Sequence, residues 1–304
     1  MDAIDWLLDS DPAIRWQALR DLTDASKAVI AAERARVSRE GLGAEVLSHQ
    51  SPAGPWHRPG SPDWLPTLFM MLLLRSTGVD PGDSRVAAAV SRVNRGFRWA
   101  DEFGAKPFFE GEVEPCINGH TLALGAYFGD PSADLMRRLL HDQLTDGGWN
   151  CDAPKSAVSS YHSTICVLEG LLEYERAVGV APETSEARRG GEEYLLQRGL
   201  FRRRSTGETA SSKFLEFGFP PRYEYDVLRA LDYFRAAGAE RDTRMGDAVG
   251  VVASRRAADG RWLLDRSHNE SLSFPFPETV GEPSRWNTLR ALRVLRWYEG
   301  REAK

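Results

Sequence analysis

The stretch that decides the fold is "QLTDGGW", residues 143–149. It is a tight Gly-containing turn that ends on a tryptophan, and it recurs. "QSPAGPW" at 50–56 and "RAADGRW" at 256–262 each carry a Gly two residues before a Trp, and the first also opens with Gln. Degenerate copies, "NRGFRW" at 94–99 and "QRGLF" at 197–201, lie between them. The copies stand roughly 43 to 61 residues apart, the period of a helix-pair repeat.

Each turn leads to a segment that is apolar over most of its surface: "WLPTLFMMLLL" (64–74), "INGHTLALGAYF" (117–128), "HSTICVLEGLLEY" (162–174), "YDVLRALDYF" (225–234) and "WNTLRALRVLRW" (286–297). Segments with a narrow apolar stripe alternate with these. Val86, Val90, Val93 and Phe97 fall on one helical face, as do Leu135, Met136, Leu139 and Leu140, and later Met245, Val249 and Val252. No extended alternating runs or Asn-Gly hairpins signal strands. A covered helix paired with a one-sided helix, five to six times over, predicts an all-α fold: an α/α toroid with an inner and an outer ring. An open solenoid would instead need polar capping repeats. Residues 1–45 fit the period poorly and read as an N-terminal helical extension packed on a toroid of residues 46–304.

Composition narrows the function. The chain has 304 residues, 42% hydrophobic and 27% charged, with a net charge of −5, so the basic field that nucleic acid requires is missing. Three cysteines do not make a disulfide scaffold. The start "MDAIDWLLDSD" lacks a basic n-region, and the longest apolar run is too short to span a bilayer. A cytoplasmic protein is expected, and nothing in the sequence marks a surface for a protein partner.

The turn motif and its period resemble the repeats of squalene cyclases and protein prenyltransferase β subunits, over roughly residues 45–300. That resemblance implies a terpenoid-cyclase-like toroid acting on a small, largely apolar molecule in its central cavity. The D-x-D-D acid motif of class II terpenoid cyclases does not occur here. "SSYHSTICVLEGL" resembles the prenyltransferase Y-H-T segment, whose His binds zinc, and places His162 at the matching position. Where that family has D-G-C, this chain has "EPCINGH", offering Cys116 and His120. The preceding "FFEGEVE" carries Glu110, Glu112 and Glu114 in place of diphosphate-binding cations.

In a toroid the inner-helix starts converge, so polar residues there are candidates for a pocket. Cys116, Cys151 and His162 form a candidate zinc site, since zinc takes thiolate and imidazole and a catalytic site keeps one position open. Asp152 is a substitute ligand for Cys151, and Glu112, Glu114 or Asn118 would orient a histidine. His120, Tyr161 and Asp226 are candidates for proton transfer. Trp64, Asn118, Tyr225, Arg285, Trp286 and Asn287 are candidates for substrate binding, with Arg285 holding an anion. The reading is an enzyme, a zinc-dependent transferase, lyase or cyclase. Its alternatives are a metal-free cyclase using Asp226 or Asp63 as acid, and a non-catalytic lipid or isoprenoid binding protein. The aromatic, Pro-rich segments 214–225 and 273–278 read as ordered loops over the cavity mouth, able to act as a lid.

Overall fold

A computed structural model describes residues 2–301. Among these are thirteen α-helices, most of them alternating between two layers. The inner layer holds α2 (Pro12–Leu22), α5 (Trp64–Ser76), α7 (Pro115–Phe128), α9 (Tyr161–Val178), α11 (Val227–Ala236) and α13 (Arg285–Tyr298). Around them lie α1 (Ala3–Leu8), α4 (Gly41–Ser48), α6 (Ser84–Gly96), α8 (Ala133–His141), α10 (Pro182–Leu196) and α12 (Gly246–Ser254), while α3 (Lys27–Arg34) packs on α2. The strands β1 (Trp262–Leu263) and β2 (Pro283–Ser284) form one short antiparallel pair. The fold is all-α.

The repeated turn works as a staple. Trp56, Trp149 and Trp262 are each fully buried. Each donates its indole N–H to a carbonyl on the preceding outer helix: Val46 at 2.8 Å, Leu139 at 2.6 Å and Val252 at 2.7 Å. Each backbone N–H donates to the hydroxyl of the fourth residue of the following inner helix: Thr67 at 3.1 Å, Thr164 at 3.1 Å and Thr288 at 3.0 Å. The side chains of Gln50 and Gln143 close the turn by donating to Gly54 and Gly147 carbonyls, and reach outer-helix carbonyls of Ala89 and Ala187. Gly147 must be glycine: its φ is +94°, and a Cβ there would lie 2.5 Å from the Gly190 carbonyl oxygen.

The inner helices link side by side into a closed ring. Trp16 and Gln17 of α2 donate to the Thr77 and Ser76 carbonyls at the end of α5. α7 and α9 cross at Gly119 and Gly170, where backbone meets backbone. Arg229 of α11 pairs with Glu169 of α9 at 2.7 Å. Arg293 of α13 bonds Asp232 of α11 and, at 3.2 Å, Gln17 of α2. The N-terminal segment thus contributes α2 to the ring, between α13 and α5. No helix among the described residues is long and apolar enough to cross a membrane.

Candidate functional site

The segment 214–225 does not cover the mouth of the ring. It descends into the lumen, where Arg229 of α11 holds the Glu224 carbonyl at 2.8 Å and Cys166 of α9 lies 3.7 Å from the Tyr223 carbonyl. Tyr223 faces a cavity at the N-terminal ends of the inner helices, while Phe219 and Pro221 face a second cavity toward their C-terminal ends. The loop expected to be a lid is a partition.

The first cavity has a volume of about 580 Å³. Trp64, Phe69, Trp99, Phe103, Ile117 and Tyr223 give it apolar walls. One polar side interrupts them, made by the start of α7, the loop after Trp149 and the start of α9. Glu112, Glu114, Cys116, Cys151, His162 and Ser163 lie there. The Trp149 staple sets this side: it fixes the turn that carries Cys151 against the first turn of α9. Cys151 N–H donates to Ser163 Oγ at 3.2 Å. Cys151 Sγ lies 3.0 Å from Cys116 Sγ and 3.2 Å from Ser163 Oγ, and Cys116 Sγ lies 3.6 Å from Glu114 Oε2. Ligand atoms of Glu114, Cys116 and Cys151 all fall within 4.8 Å of one another.

The two thiols are not equivalent. The hydrogen bond between the two sulfurs raises the Cys116 pKa and lowers that of Cys151; the Ser163 hydroxyl lowers Cys151 further. The pair therefore favours one thiolate, on Cys151, facing the cavity beside the N-terminus of α7, whose free N–H groups also favour negative charge. Burial pushes the Glu112 carboxyl above the usual carboxylate range, against the N–H groups of Val113 and Glu114 that it accepts.

His162 is in the cavity but outside the ligand cluster. Its Nδ1 accepts the Tyr225 backbone N–H at 2.8 Å, and burial lowers its pKa, so the ring is neutral with its proton on Nε2. A ring in that tautomer offers a donor to the cavity and no free nitrogen for a metal. Glu114, expected only to orient a histidine or to repel an anion, stands where a third ligand would. Its signal in the sequence is a carboxylate two residues ahead of a thiol at a helix start.

The other expected residues divide. Trp64 lines the first cavity, and His120 and Trp286 line the second. Asn118, Tyr161, Tyr225, Asp226, Arg285 and Asn287 line neither cavity. Asn118, the fourth residue of α7, accepts the Glu112 N–H at 2.8 Å, the bond that threonine makes in the full repeats. Tyr161 and Tyr225 donate their hydroxyls to the Arg202 and Leu200 carbonyls. Asn287 donates to the Phe217 and Leu263 carbonyls, and Arg285 to those of Trp6 and Asp9. Asp226 caps α11, accepting the Arg229 N–H at 2.7 Å. Asp63 is half exposed and pairs with His57 at 2.6 Å. Neither aspartate lines either cavity. Asp152 borders the first cavity without joining the ligand cluster.

No protein-family model matches the chain, and no curated protein matches it. Among solved structures, it is similar to a protein from Actinoplanes, with 16% identity over 90% of this chain and 85% of that one and a TM-score of 0.47. It is also similar to a variant of the type II terpene cyclase MstE from Scytonema, solved with its product merosterolic acid A. There the identity is 16% over 98% of both chains, with a TM-score of 0.45.

Proposed function

We propose that this protein is an enzyme that holds a small, largely apolar molecule in the first cavity and activates it at a zinc centre on Glu114, Cys116 and Cys151. The observation that carries the reading is the convergence of one carboxylate and two thiols, from segments 35 residues apart in sequence, on the polar side of an aromatic cavity. The donor set fits: zinc takes thiolate sulfur and carboxylate oxygen, and three protein ligands leave a fourth position for substrate. Zinc held there would supply Lewis acidity toward a substrate oxygen or thiol. The chain's own residues would do the rest. Trp64, Phe69 and Trp99 exclude water from the substrate. His162 presents its Nε2–H to the cavity, and Ser163 holds Cys151 in place. Glu112, through the backbone N–H of Glu114, fixes the turn that carries the carboxylate.

The test is the zinc content of purified protein by elemental mass spectrometry. Near-stoichiometric zinc is expected in wild type and in His162→Ala, with loss in Cys151→Ser and Glu114→Gln. A folded wild type that takes up no zinc on reconstitution overturns the reading. So does zinc lost in His162→Ala and kept in Glu114→Gln.

A second reading rests on Glu112, a buried carboxyl with a raised pKa on the wall of the same cavity. It would serve as the proton donor of a metal-free cyclisation. Turnover of a polyene by zinc-free protein, abolished in Glu112→Gln, supports it; saturable polyene binding without product sinks it in favour of a non-catalytic binding protein.

A further inference from the structure

The second cavity, about 870 Å³, runs from an exposed rim at Arg20, Lys27 and Arg176 down to the buried His120 and Trp286. Its lining carries nine Arg or Lys residues and five Asp or Glu residues, an excess of four positive charges in a chain whose net charge is −5. Four of these cations gather around two carboxylates, Asp232 and Asp21. Arg293 bonds Asp232 at 2.7 Å, Arg235 bonds it at 3.1 Å, and Arg290 stands 3.9 Å away. The nearby Asp21 accepts two bonds from Arg20, of 2.6 and 2.8 Å, and one from Arg293 at 3.5 Å.

Arg290 is the telling member. It is 8% exposed, and its bonds go from one terminal nitrogen to the Gly218 carbonyl and the Asn287 amide oxygen. Its Nε and other terminal nitrogen make no hydrogen bond among the described residues, and its carboxylate neighbours stand at 3.9 and 4.0 Å. Burial lowers the pKa of both Arg235 and Arg290, as expected of cations whose desolvation is not offset. Neutralising the C-terminal dipole of α13 does not explain Arg290, which lies two turns before the end of that helix. At the floor, His120 is 1% exposed, and its buried Nδ1 has no partner. Beside it Trp286 stacks on Phe219, with ring centroids 4.4 Å apart.

We infer that the second cavity binds a small organic oxyanion, its carboxylate or phosphate oxygens held by Arg235 and Arg290 and its apolar part against Phe219 and Trp286. Guanidinium groups with free N–H donors in a semi-enclosed cavity suit oxyanions, and the aromatic floor suits an apolar tail. The inference is independent of the zinc reading, since the partition separates the two cavities.

Isothermal titration calorimetry of the full chain at low salt tests it, with inorganic diphosphate and octanoate as probes. Saturable binding of at least one probe is expected. Arg290→Gln and Arg235→Gln should each weaken it at least tenfold, added salt should weaken it too, and Arg137→Gln on the outer surface of α8 should leave it unchanged. The preferred probe then tells a phosphate from a carboxylate. No saturable uptake by folded wild type overturns the inference. So does affinity that survives in both cavity variants, or that falls equally in Arg137→Gln. If one variant fails to fold by circular dichroism, the other carries the test. Zinc content measured on the same samples should match wild type, so failure of either reading is seen separately.

Discussion

Replacing Gly119 by alanine should couple the packing of the ring to the candidate site. A Cβ at Gly119 would lie 2.5 Å from the Cys166 carbonyl oxygen, 2.6 Å from its carbon and 2.7 Å from the Val167 nitrogen. These are backbone atoms of α9 and cannot swing aside. Ordinary contact begins at 3.4 Å, so α7 and α9 must part by roughly 0.9 Å. Overpacking of this kind costs about 1–3 kcal/mol, set against a helix-propensity gain of about 1 kcal/mol for Gly→Ala. Gly250 in α12 is the control, because a Cβ there meets nothing within 4 Å and only the propensity gain applies. Denaturant titration should therefore find Gly119→Ala less stable than Gly250→Ala by about 1–3 kcal/mol. The same shift moves Cys116, on the first turn of α7, away from Cys151, 3.0 Å distant, and should lower zinc uptake. Equal stability of the two alanine variants, within about 0.5 kcal/mol, would refute the close-crossing argument.

Two further outcomes follow from the geometry. Trp56→Phe, Trp149→Phe and Trp262→Phe each remove one indole bond to a buried carbonyl, and should each cost about 2–4 kcal/mol in denaturant titration, within ~1 kcal/mol of one another. A staple that can be lost without cost would show that the repeat does not hold the rings together. Burial lowers His120 from 6.5 to about 3, so the fold keeps it neutral while the unfolded chain protonates it. Its contribution is complete above pH 6.5 and is lost as pH falls toward 3, at a slope of at most about 1.4 kcal/mol per pH unit. Stability of wild type should drop faster than that of His120→Gln across this window, and parallel curves would exclude a buried neutral histidine.

The architecture was legible because its signal is local. Gly, Trp and Gln lie within seven residues, and the tryptophan's partners are an outer-helix carbonyl ten residues back and a threonine at the fourth position of the next inner helix. The apolar coverage of each inner helix could then be read directly from periodicity. The place of α2 carries no such mark. Arg293 and Gln17, which tie it to α13, are 276 residues apart, and Trp16 and Thr77, which tie it to α5, are 61 apart. A helix that joins a ring only through distant partners looks, in sequence, like any capped surface helix.

The site was harder to read for a different reason. Polar residues at inner-helix starts converge as expected, but convergence does not say whether they face the lumen or the connecting loops. Those loops run close to the core and bring backbone groups that must find partners. Asn118, Tyr225 and Asn287 meet that demand, at Glu112, Leu200, and Phe217 and Leu263. The residues left to face the first cavity are then those whose hydrogen-bonding needs the loops do not use: thiols, a carboxylate on the outer edge of a cap, and one histidine nitrogen. The same reasoning explains the second cavity. Its arginines come from five inner helices and α3, and what gives them a floor is a loop whose aromatic and proline content read as a cover. Once the loop enters the lumen, Arg290 below it loses access to one end of the ring, and an anion entering from the other end becomes the close partner it lacks.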